Sequence, residues 1–182
     1  KSTKKKKSTK KKKSTKKKSP VKINKFITSI FKLDHKGGRV DTSSKDMINV
    51  LIHDVVKRIL DKAPGSNISL KDIDDAVKSV LPANLEKWAS RHADYLAEDP
   101  DEIAIKYSIV NKLLKFYSTG SGKSSKEVVH YFSGVVQYII EEIIDVSFKH
   151  TLSRGSTTIS TQDISDSLKK EPDLKKLYKS FI

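Results

Sequence analysis

Asn67-Ile68-Ser69-Leu70-Lys71-Asp72-Ile73-Asp74-Asp75-Ala76-Val77-Lys78 returns 91 residues later as Thr158-Ile159-Ser160-Thr161-Gln162-Asp163-Ile164-Ser165-Asp166-Ser167-Leu168-Lys169, with six of twelve positions identical. Both copies share one local logic. An apolar residue precedes a serine, and an aspartate stands three positions after that serine, which is the pattern of a capped helix start. Upstream, Ser43-Ser44-Lys45 and Ser124-Ser125-Lys126 open two long apolar stretches, here 81 residues apart. Self-similarity of this kind marks a duplicated supersecondary unit.

Reading outward from the repeat, Val21 to His35 carries Ile23, Phe26, Ile27, Ile30, Phe31 and Leu33 at helical spacing. Gly37-Gly38 breaks that helix, and Ser43 or Ser44 is the expected cap of the next. That helix carries Met47, Ile48, Leu51, Ile52, Val55, Val56, Ile59 and Leu60, a stripe too wide for burial on one side only. Pro64-Gly65 ends it. A short helix over 70–81 follows, then one over 82–98 with Pro82 in its first turn. Asp99-Pro100 is the seam. The plan restarts with a helix near 103–117, a loop from Ser118 to Lys123, a long helix over 125–152, a short helix over 161–170 and a last turn at Leu174-Leu177-Tyr178. Strand is expected only beside Ile68 and Ile159. The fold class is therefore all-α. Neither long helix can be covered by its own short partners, so the two units must pack across each other.

Of the 182 residues none is cysteine, which removes disulfides and thiolate metal sites. The formal charge is +15, unevenly placed. Residues 1–19 hold twelve lysines and no acid, leaving 25 basic and 22 acidic residues elsewhere. A nearly neutral body thus carries a cationic arm. Lys4, Lys5, Lys6, Lys7, Lys10, Lys11, Lys12, Lys13, Lys16, Lys17 and Lys18 repel one another, so the arm is expected to be disordered and to bind polyanions by releasing condensed counterions. No apolar run is long enough for a membrane-spanning helix.

The first unit resembles a type-2B core histone through Ser43-Ser44-Lys45 with Met47, Ser66-Asn67-Ile68-Ser69, and Val80-Leu81-Pro82-Ala83-Asn84-Leu85-Glu86-Lys87. The second resembles a type-2A core histone through Val110-Asn111-Lys112-Leu113-Leu114-Lys115, Tyr138-Ile139-Ile140-Glu141-Glu142-Ile143-Ile144, and Asp173-Leu174-Lys175-Lys176-Leu177. The coverage runs from about residue 23 to 182. Fused pairs of this order resemble the histone doublets of large DNA viruses, marseillevirus type. The resemblance implies an intramolecular handshake of two histone folds: a tail over 1–20, a 2B-like unit over 21–98 with an extra C-terminal helix, a connector over 99–102 and a 2A-like unit over 103–182. It implies sequence-independent wrapping of double-stranded DNA in nucleosome-like particles. The implied partners are a type-3/type-4 pair or doublet and a second copy of the chain. The implied location is a virion, viral factory or host nucleus, and no cofactor or membrane partner is expected.

In such a clasp, helix N-termini and loop cations face phosphates at each end. One end is expected to gather Arg39, Ser43, Ser44, Lys45, Lys149, Arg154, Thr157 and Thr158; the other Lys62, Asn67, Lys71, Lys123, Ser125 and Lys126. Two of the four arginines fall at the first end, which is expected to grip DNA harder. The resemblance also implies a partial acidic patch at Glu142, Asp145, Glu171 and Asp173, with Asn84, His92, Gln137 and Pro172 where the family carries acids. Gly65 and Thr158 stand where it carries minor-groove arginines. The repeat offsets differ by ten residues, which shortens the first long helix by about 15 Å.

Other readings are weaker. His35, His53, His92, His130 and His150 are scattered without metal spacing or a paired nucleophile, so no enzyme is expected. Gly120-Ser121-Gly122-Lys123-Ser124 imitates part of a phosphate-binding loop, but Tyr117 takes the first glycine position and a helix precedes it. The main alternative is a histone-fold transcription-factor pair that binds specific DNA or regulators.

Overall fold

The computed structural model describes residues 21–63, 65, 67–118 and 123–182; the lysine-rich arm and the centre of the 118–123 loop lie outside them. The described chain is all-α. Its helices are α1 (Asn24–Asp34), α2 (Thr42–Lys62), α3 (Leu70–Val80), α4 (Ala83–Glu98), α5 (Tyr107–Tyr117), α6 (Lys126–Ser153), α7 (Thr161–Lys170) and α8 (Pro172–Leu177). Four two-residue strands lie between them: β1 (Arg39–Val40), β2 (Asn67–Ile68), β3 (Lys123–Ser124) and β4 (Thr158–Ile159).

The twelve-residue repeat behaves alike in its two copies. Ser69 accepts from the Asp72 N–H and Ser160 from the Asp163 N–H, and both aspartates return a bond to the serine N–H, so α3 and α7 each begin with a closed capping box. The strand before each box pairs outside its own half. β1 lies parallel to β4 and β2 parallel to β3, in the registers Arg39↔Thr158, Val40↔Ile159, Asn67↔Lys123 and Ile68↔Ser124. The sequence places these loops side by side at each end, but it points to strand only beside Ile68 and Ile159, not at β1 and β3. Two residues carry too little pattern to stand out from a loop.

The Ser-Ser-Lys echo is out of register. Asp41, not Ser43 or Ser44, caps α2: its carboxylate accepts from the Ser44 N–H at 2.6 Å. Asp41 is still extended, and its own N–H donates to the Ile159 carbonyl, so the helix can start only after the ladder ends. In the second half Ser125 caps α6. Aligned on these caps, the first long helix has 21 residues against 28, two turns or about 10 Å shorter rather than 15 Å.

The helix foreseen near 103–117 starts late. Residues 103–106 follow a short 3-10 turn at Pro100–Glu102 and are not helical. The buried Gln137 accepts the Ala104 N–H at 2.8 Å, and Ile105 is wholly buried beside it. That side-chain bond and that apolar anchor hold the segment out of the helix.

α6 is the axis of the molecule and packs against α1 to α5 and α7. Its Phe132, Val135, Val136, Ile139, Ile140, Ile143 and Ile144 form one wide buried face, and from Tyr131 to Gln137 the helix is buried on every side. Each such side chain contributes about 1.5–3 kcal/mol by leaving water. One continuous core runs from Ile23 to Tyr178 through both halves.

Candidate nucleic-acid interface

The β1–β4 ladder builds the first end of the molecule. The Arg39 N–H donates to the Thr157 carbonyl, and Arg39 Nε donates to Thr158 Oγ1 at 2.9 Å. Arg39, Ser43, Lys149 and Thr157 are exposed, and Lys45 and Thr158 are half-buried. The Ser43 hydroxyl is already committed to Asp41 Oδ1 at 3.0 Å. Ser44 is not a surface residue. It is fully buried, and its hydroxyl donates to the Ile159 carbonyl at 3.1 Å, tying α2 to the opposite half. Its predicted contact with DNA is therefore replaced by a structural role.

Arg154 also differs from expectation. Its guanidinium donates to both Asp163 oxygens, Nε at 2.7 Å and the terminal nitrogen at 2.6 Å. Asp163 is the fully buried aspartate of the α7 capping box and also pairs with His150 Nδ1 at 3.2 Å. Lys170 Nζ lies 3.0 Å from the other His150 nitrogen. Burial alone would raise the Asp163 carboxyl. Hydrogen bonds from the Ser160 backbone and hydroxyl, from Arg154 and from His150 outweigh it and hold the group well below the usual carboxylate range. Arg154 thus braces the loop that carries Thr157 and Thr158, with its guanidinium paired to Asp163.

Asp163→Ala is expected to cost about 2–3 kcal/mol in denaturant unfolding: about 1 for the cap and the rest for unpairing a half-exposed arginine. Because the folded pKa is depressed, the Asp163 contribution is whole above about pH 5 and drains away as pH falls through the carboxylate range. Asp163→Ala should therefore show a stability deficit at pH 7 that narrows at pH 3.

The second end is built on the β2–β3 ladder. Lys62, Asn67, Lys71, Ser125 and Lys126 are all exposed there, and the Lys123 side chain lies outside the described residues. Ser125 Oγ accepts from the Val128 N–H, so the α6 N-terminus opens directly beside the ladder. No arginine stands at this end. The α3 box is looser than its counterpart, since Ser69 is exposed and Asp72 half-buried. The Ser69 hydroxyl and backbone N–H hold the Asp72 carboxyl below its ordinary value. The arm lysines lie outside the described residues.

Three of the four patch acids share one cleft. Glu142, Glu171 and Asp173 line a cleft of about 490 Å³ with Asn84, Leu85, Trp88 and Tyr138. Asp145 instead accepts from His35 Nε2 at 2.7 Å. Burial and then the Asp145 charge push the Glu142 carboxyl up. Its neighbour Glu141 is pushed up to about 7, by burial first and then by Asp34 and Asp145, against a Gln137 hydrogen bond. Sequence reasoning missed Trp88 as a wall of this cleft. It stands 52% exposed on α4, with the Arg91 guanidinium 5.3 Å from its ring centre. It also missed Asp41 and His150, and it read Asp163, through the repeated Ser-x-x-Asp spacing, as a helix cap alone and not as the partner of Arg154 and His150.

No protein-family model matches the chain, and no curated protein matches it either. Among the described residues no three His, Asp or Glu side chains converge as a metal site, and no helix is long and apolar enough to cross a membrane.

Proposed function

We propose that the chain packages DNA as a fused pair of histone folds, a type-2B-like unit followed by a type-2A-like unit that clasp head to tail. The observation that carries this reading is the exchange of loops. The segment before each long helix pairs in parallel with the segment after the other long helix, at both ends of the molecule. Each ladder lies beside two helix starts from different halves, α2 and α7 at one end and α3 and α6 at the other. Helix starts present N–H groups and positive dipole ends to phosphates; here Asp41, the two Ser–Asp boxes and Ser125 each take up part of that capacity, and the N–H groups they leave remain for a phosphate. Exposed cations sit with them, and their contacts to backbone carry no sequence information. The arm adds twelve further cations. The implied site of action is a chromatin-like particle in a virion, viral factory or host nucleus.

Reconstitution on mixed-sequence DNA with a type-3/type-4 partner tests the reading. Nuclease digestion should leave a regular ladder of protected fragments. A strong preference for one short sequence, with no ladder, would replace packaging by regulator binding. Within the interface, Arg39→Ala with Lys149→Ala should lower the log–log salt slope of DNA binding by about 2, at 0.9 per phosphate contact, without lowering the unfolding temperature. Arg154→Ala should do the reverse: it lowers thermal stability and leaves most of the slope.

A further inference from the structure

Residues 169–182 form a second groove, away from the two ladder ends. Lys169, Lys175, Lys176 and Lys179 rim it, Pro172 and Ile182 contribute apolar surface, and it encloses about 570 Å³. All six residues are exposed. An apolar floor with a cationic rim fits an acidic segment that carries an apolar anchor.

The chain itself presents such a segment. Asp94, Glu98, Asp99, Asp101 and Glu102 are all exposed at the end of α4, with no lysine or arginine between 94 and 102. Tyr95 projects among them, 56% exposed, and its hydroxyl is pushed up first by a hydrogen bond to Glu102. This acidic knob sits where it costs the helix most. A helix C-terminus carries the negative end of the dipole and favours cations, yet the last turn of α4 has no basic residue. The molecule leaves that negative charge uncompensated on α4 itself.

A chain cannot join its own two surfaces. Asn84 and Leu85, at the start of α4, line the acidic cleft together with Pro172 and Lys176, so the lysine groove adjoins that end of the helix. The knob stands towards the other end: Tyr95 lies ten residues, about 15 Å, beyond Leu85, and Asp99, Asp101 and Glu102 lie past the end of the helix.

We propose that the α4 knob of one molecule docks in the lysine groove of a second, with Tyr95 on the apolar floor and the five acids against the lysine rim. Because donor and acceptor surfaces differ, the contact is heterologous and continues into open chains rather than closing a dimer. It is small and largely ionic, so it is weak and salt-sensitive. The proposal is independent of the DNA-packaging reading.

Sedimentation of the full chain without DNA, at 50 and 500 mM salt, tests it. Association that rises with protein concentration is expected at low salt and lost at high salt. Lys175→Glu/Lys176→Glu/Lys179→Glu should weaken it at least tenfold, as should Asp99→Lys/Asp101→Lys/Glu102→Lys. Mixing the two variants should restore it, since each reversed surface then meets its complement. Thermal unfolding of both variants checks that they remain folded. A monomer at every concentration, association that survives both reversals, or a mixture that stays monomeric would overturn the proposal. So would association that is lost only when residues 1–19 are removed, because the arm would then be the knob's partner.

Discussion

Gly134→Ala is expected to destabilise the protein by about 2 kcal/mol, although alanine is the better helix former. Gly134 lies about a third of the way along α6, where α4 crosses it. A Cβ built there would stand 2.5 Å from the Ala93 Cα and 3.1 Å from the Ala93 Cβ. The first of these is a backbone atom, so relief requires the two helices to move apart. Helix propensity favours alanine by about 1 kcal/mol. Overpacking a close-packed crossing costs about 1–3 kcal/mol, and more when backbone must shift. Along this contact Ala89 and Ala93 are wholly buried, so no flexible side chain can give way. Steric cost therefore exceeds propensity. In a chain of this size the loss corresponds to a fall in unfolding temperature of roughly 4–8 °C. Gly134→Val should be worse still, adding branched bulk at the same point. The informative control is Ala93→Gly, which removes the Cβ opposite. Combined with Gly134→Ala it leaves the 2.5 Å backbone contact in place, so only part of the loss should return. Full recovery, or a gain in stability from Gly134→Ala alone, would mean that the crossing is looser than the packed distance indicates.

The crossing also illustrates what can be read from a chain and what cannot. Helix type and extent were legible because they rest on local pattern. The α7 bounds at Thr161–Lys170 follow from Ser160-x-x-Asp163 and the spacing of Ile164 and Leu168, and each of these acts within one or two turns. The wide burial of α6 was legible because too many of its positions are apolar for one narrow face. Contacts between distant elements were not legible. Ser44 looked like a cap beside DNA, because serine before an apolar run is the usual cap; Asp41 takes that role only because the Ile159 carbonyl, 118 residues away in sequence, holds its N–H in a ladder. Arg154 looked like a free loop cation, and its bidentate partner belongs to the next helix cap. Asp145 looked like a free patch acid, and His35, just past the end of α1, is hydrogen-bonded to it. In each case a polar side chain found a partner that the primary pattern does not bring near. Polar pairing is directional and specific, whereas apolar burial is neither, so the core is foreseen more readily than the site.

Removing residues 1–19 is expected to weaken DNA binding by the largest factor of any change considered. The arm holds twelve of the 37 basic residues, and the remainder of the chain is only three charges from neutral. Each lysine engaged with a phosphate contributes about 0.9 to the slope of log affinity against log salt. If half the arm lysines engage at once, the slope falls by about 5 on truncation. A difference of that size corresponds to roughly a thousandfold change in affinity between 50 and 200 mM salt. Fluorescence anisotropy on a mixed-sequence duplex across that salt range measures it directly. The truncated body should keep a shallow slope from Arg39, Lys149, Lys62 and Lys71, the exposed cations beside the two ladders. Its unfolding temperature should not change, because the shared core begins at Ile23. The two lesions therefore separate cleanly: Gly134→Ala moves stability and leaves the salt slope, and arm removal moves the slope and leaves stability. An unchanged slope after truncation would transfer the whole electrostatic contact to the ladder ends. The Arg39→Ala/Lys149→Ala pair would then remove the share of the first end, about 2 of slope at 0.9 per contact, and Lys62 and Lys71 would hold the second end's share.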